Sequence, residues 1–110
     1  MFKFAHNYGC SIHVFRGLDS RFNCVIFGGL ALIEKSKAKI CGNDIKVLDL
    51  DSLTLKELHI QGDIVPGRKH AASSVFDSRY FLVSGGQDNH IDMHGDFYTF
   101  DLLHHTWTLC

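Results

Sequence analysis

The chain has 110 residues, 45% of them hydrophobic and 21% charged, with a single proline, a globular rather than a disordered composition that is enough for one modest core. Eleven basic residues against twelve acidic ones leave a net charge of −1, which speaks against a dedicated nucleic-acid binder. The longest nearly polar-free run, Cys24–Ile33, is broken by Gly28-Gly29 and falls well short of the ~20 residues of a membrane helix.

In chain order, the first expected element is a strand near Ser11–Phe15. An Asp19-Ser20-Arg21 turn follows, then a second strand, Cys24–Phe27, ended by Gly28-Gly29. Leu30–Ala38 is expected to be loop with at most a turn of helix. Asp44–Leu50 makes a third strand and Leu55–Ile60 a fourth, where Lys56 and Glu57 guard an edge. The series then repeats: a strand over His70–Phe76, the turn Asp77-Ser78-Arg79, a strand at Tyr80–Val83 ended by Gly85-Gly86, a strand at Asp96–Leu102 and a last one at Thr106–Cys110. These are short aromatic and β-branched runs between turn residues, and no helical stripe is sustained anywhere.

The two halves are copies. Fifteen residues separate His13 from Gly28 and His70 from Gly85; five separate Asp44 from Asp49 and Asp96 from Asp101; six separate Asp49 from Leu55 and Asp101 from Trp107. The stretch after the glycines differs, with fifteen residues from Gly29 to Asp44 and ten from Gly86 to Asp96. The reading is all-β: two four-stranded antiparallel units, 1–60 and 70–110, joined by a loop over 61–69. Residues at repeated places are read as determinants of the fold: His13, Gly28, Gly29, Asp49, His70, Gly85, Gly86, Tyr98, Asp101 and Trp107. The glycines suit sharp turns, and Asp101 can bond nearby amides. Tyr98 and Trp107 suit a wedge between stacked sheets.

Gly-Gly ending the second strand, an aromatic-Asp stretch on the third and Trp opening the fourth resemble the kelch repeat, a β-propeller unit of about 50 residues. The second copy matches better. In the first, Lys46 stands where Tyr98 does and Leu55 where Trp107 does. The resemblance implies two blades of a partial propeller, with missing blades or self-association needed to close it, and hence a fragment of a larger protein. It further implies a protein–protein interaction scaffold, of adaptor, cytoskeletal or signalling type, without enzymatic activity. The alternatives are a piece of a galactose-oxidase-like propeller enzyme and a non-functional remnant.

Recognition is expected on the loop face after the second strands, because loops on a rigid scaffold vary freely. The candidate binding residues there are Arg68, Lys69, Gln87, Asp88, His90, Asp92 and His94, with Arg68 assigned through the family resemblance. Asp88-x-His90-x-Asp92-x-His94 has metal-like spacing, but one extended segment lines alternate side chains up instead of closing a tetrahedron, so it is read as a polar loop. No metal, cofactor, nucleic-acid or membrane partner is expected, and no nucleophile elbow or phosphate loop occurs. Cysteines at 10, 24, 41 and 110 form no C-x-x-C pair. They suit a reducing, cytoplasmic setting.

Overall fold

The computed structural model describes residues 7–18, 20–33, 38–87 and 95–110. All of the regular structure among them is β. The first copy forms a four-stranded antiparallel sheet from β2 (Ser11–Arg16), β3 (Phe22–Phe27), β6 (Ile45–Asp49) and β7 (Thr54–Lys56), in that spatial order. Its second copy forms β9 (Ala72–Phe76), β10 (Tyr80–Ser84), β11 (Phe97–Asp101) and β12 (Thr106–Leu109), again an antiparallel meander. The expected strands are therefore present in both halves. In the first copy the fourth is shorter than Leu55–Ile60 and ends at Lys56. No sheet closes on itself among the described residues.

Local chemistry explains the turns. Asp77 and Ser78 both take positive φ, 56° and 52°, as a tight hairpin between right-twisted strands demands. At the other end, Gly28 and Gly29 have φ of 70° and 92°, and Gly85 and Gly86 have 72° and 92°. A glycine pair thus adopts one left-handed geometry twice. A Cβ on Gly86 would also sit 2.8 Å from the Lys69 carbonyl oxygen.

Four strands depart from the sequence reading. The described residues of Leu30–Ala38 are strand and not helix: β4 (Leu30–Ile33) pairs antiparallel with β5 (Ala38–Cys41), and β1 (Asn7–Tyr8) adds to β4 as a third, small sheet. Backbone pairing explains this better than side-chain pattern, because Leu-Ala-Leu-Ile and Ala-Lys-Ile-Cys form a continuous register from Leu30–Cys41 to Ile33–Ala38. The linker is also more than a loop. Its β8 (Gln61–Gly62) runs parallel to β12 and makes the second sheet five-stranded, and Val65 is buried in the core.

The core lies between the two sheets. Val25, Phe27, Ile45 and Val47 of the first pack against Phe81, Val83, Tyr98, Phe100 and Trp107 of the second. Phe27 meets Trp107 edge-on at 5.2 Å and Phe81 at 6.1 Å between centroids. Counting back from the glycine pairs and from Asp49 and Asp101, the counterparts of Phe81, Val83 and Phe100 in the first copy are Cys24, Ile26 and Leu48. Those three form a separate cluster on the opposite face of the first sheet. The copies consequently stack head to tail, one using the face that the other leaves outward.

Candidate functional site

Each end of the two-sheet body has its own polar chemistry. At the glycine end the backbones interlock: Gly29 N–H donates to Arg68 O, Arg68 N–H to Gly42 O, and Lys69 and Gln87 exchange both amide bonds. Arg68 is only 1% exposed. Its guanidinium donates to both Asp96 carboxylate oxygens at 2.5 and 2.9 Å, to Gly85 O and to Pro66 O, and it lies 5.4 Å from the Tyr98 ring.

The sequence reading placed Arg68 among the binding residues of the loop face. In the structure its side chain is buried and ties the linker to Gly85 and Asp96. Lys69 and Gln87 remain at this end, half-buried. Asp88, His90, Asp92 and His94 lie outside the described residues. Among the described residues, no three His, Cys, Asp or Glu side chains gather as a metal cluster.

At the opposite end the repeat builds one device twice. Asp49 accepts from Arg21 at 2.9 Å and from the amides of Asp51 and Ser52. Asp101 accepts from Arg79 at 3.0 Å and from the amides of Leu103 and His104. Each carboxylate pins a hairpin turn to the Arg that opens the second strand. The Ser52 amide is the main influence holding the Asp49 carboxyl below its ordinary range. For Asp101, burial pushes upward, but the Arg79 side chain and the two amides outweigh it, and the net direction is down. The hydrogen bond to Asp101 in turn raises Arg79.

The remaining repeated positions make the following contacts. His13 bonds Ser73 Oγ at 2.7 Å across the two sheets and tilts against Phe81. The amide of His70, at φ 56°, donates to Gly9 O. Tyr98 and Trp107 are buried between the sheets. Burial, then the neighbouring Cys10, raises the Cys24 thiol; Cys10, Cys24 and Cys110 are free thiols.

Between these ends, on the Asp-Ser-Arg side, a cleft of about 480 Å³ opens between the sheets. Phe15, Asn23 and Val47 line it from the first sheet, Leu58 from the segment just after β7, and Arg79, Leu102 and His105 from the second copy. Sequence reasoning missed it. The signal was Asn23, the one polar residue in the strand Phe22-Asn23-Cys24-Val25-Ile26-Phe27.

No family model matches the chain. It is similar to acyl-CoA-binding domain-containing protein 5 of Arabidopsis thaliana, with 33% identity over 84 residues. The match takes in 76% of this chain but only 12% of that protein. This finding corrects the kelch resemblance, since the relative is named for an acyl-CoA-binding domain. With the resemblance fall the propeller, the protein-interaction scaffold and the galactose-oxidase-like alternative drawn from it. The physical reason lies in the geometry above. Paired glycines with positive φ and an Asp that caps the next hairpin answer local needs of a four-stranded meander, so their spacing reports local shape rather than family. No helix among the described residues is long and apolar enough to cross a membrane.

Proposed function

We propose that the chain is a non-catalytic β module of a larger protein of the acyl-CoA-binding-domain kind, and that it supplies a rigid body to that protein and not the CoA site itself. The similarity to acyl-CoA-binding domain-containing protein 5 supports the first part. One observation carries the second: three of the four arginines are spent on internal carboxylates, Arg21 on Asp49, Arg68 on Asp96 and Arg79 on Asp101. CoA presents phosphates, which are recognised through the same guanidinium forks. Here those forks hold hairpins and the linker together.

In this reading 1–60 and 70–110 are successive like units joined by 61–69, stacked head to tail. The cysteine spacing, with no C-x-x-C pair, favours a reducing, cytoplasmic setting. The test is calorimetric titration of the 110-residue chain with CoA and with acetyl-CoA. The expected result is no saturable heat with either; a Kd below about 10 μM for CoA would place the nucleotide site in this module and overturn the reading.

A further inference from the structure

We propose that the cleft between the two sheets binds a small amphipathic anion bearing an N–H or O–H donor close to its charged end, the chemistry of an N-acyl amino acid. This goes beyond the module role proposed above and does not depend on it.

The argument begins with Asn23. Its side chain is fully buried, and its amide nitrogen donates to Arg21 O at 3.1 Å. That bond fixes which way the amide is turned. The amide oxygen accepts nothing: Asn23 Oδ1 is the one buried side-chain polar atom without a partner among the described residues. Such orphans are rare because the desolvated acceptor recovers nothing for its lost hydration. Asn23 pairs with Phe15 across β2–β3 and with Asp49 across β3–β6, on the same face as Val25 and Phe27, and it lines the cleft.

The walls supply the rest of the ligand's description. Phe15, Val47, Leu58 and Leu102 form apolar sides that suit a hydrocarbon chain. Among the described residues three cations, Arg16, Lys56 and Arg79, line the cleft against one carboxylate, Asp77. Arg79 is engaged by Asp101, Arg16 is exposed with Nε 3.4 Å from the Ser20 carbonyl oxygen and its guanidinium over Phe22, and Lys56 is exposed at the rim, where its charge also acts on Asp49. An apolar wall, a buried acceptor and a cationic margin together select an apolar tail, a donor and an anion. The volume of about 480 Å³ falls within the roughly 300–1,000 Å³ typical of small-molecule sites.

The experiment compares two probes that differ by one atom group: N-decanoylglycine, with an amide N–H, and O-decanoylglycolate, whose ester oxygen replaces it. Both are titrated into the ¹⁵N-labelled chain by calorimetry and NMR. The amide should saturate with shifts at Phe15, Val47, Leu58 and Leu102, and the ester should bind roughly tenfold more weakly. Asn23→Leu should abolish the difference between the probes, and Arg16→Gln, at an exposed position, should weaken both about threefold. Equal affinity of the two probes for the unmodified chain would overturn the proposal without reference to any variant. So would shifts confined to the outer face at Ile12 and Val14, or no saturation up to about 1 mM.

Discussion

Leu55 and Trp107 occupy the same place in the two copies, yet the leucine is 38% exposed and the tryptophan 4%. Cys24, Ile26 and Leu48 likewise answer to Phe81, Val83 and Phe100, but the first set lies under an outward face where Ile12, Val14 and Phe22 are more than half exposed. The second set forms the centre of the core. The difference teaches that a sequence repeat fixes the strand meander while the stacking partner fixes what each face becomes. In the second copy the shared face meets Phe27 and Val25, and large rings fill it. In the first copy the same face is occupied by smaller side chains, with Cys10 and Leu50 packed against them.

The largest expected contrast is at that pair of positions. Trp107→Ala should destabilise the chain by about 3–5 kcal/mol, the usual cost of emptying a buried aromatic site. Leu55→Ala should cost under about 1 kcal/mol. Urea unfolding of both variants checks this, and equal losses would break the head-to-tail account. Next comes Arg68→Met, which removes the two-pronged guanidinium contact to Asp96 near the linker. The expected loss is about 3 kcal/mol, at the low end for a buried pair because the Asp96 side chain is 22% exposed. The double variant with Asp96→Asn should recover part of that loss, and a failure to do so would mean that Arg68 acts mainly through its carbonyl partners.

Gly86→Ala introduces a side chain at φ 92° against the Lys69 carbonyl and should cost at least about 1–2 kcal/mol, measurable as a lowered urea midpoint. The smallest effect is the pH dependence of the turn carboxylates. Asp49 and Asp101 are held below the ordinary aspartate value of 3.8. A carboxyl depressed in the folded state adds stability that is fully present above the unfolded pKa and is lost as pH falls through the folded one. Stability should therefore decline below about pH 4, and Asp101→Asn should flatten that acid limb. An unchanged acid limb would remove Asp101 from the linkage.

Much of the two sheets was legible because turn chemistry marks their ends. Asp77-Ser78, the glycine pairs and Asp49 or Asp101 punctuate runs that can only be strands. Long-range pairing was less visible. Leu30–Ile33 reads as strand only once Ala38–Cys41 is beside it, and Gln61-Gly62 becomes a strand by lying parallel to Thr106-Trp107. The contacts of Arg68 were hidden for a related reason: its partner Asp96 is 28 residues away, and the sequence does not show that Val65 and Arg68 alone of the linker turn in to be buried. The cleft at Asn23 escaped because the search for recognition followed the glycine end, where the copies differ in length, whereas the cleft lies at the end where they agree.

The most direct test of the stacked arrangement is a double-mutant cycle on Phe27 and Trp107, whose rings meet at 5.2 Å across the two copies. With Phe27→Leu, Trp107→Leu and the double variant measured by urea unfolding, the account predicts a coupling of about 0.5–1.5 kcal/mol. Additivity within about 0.3 kcal/mol would contradict it, because the two rings would then not share an interface.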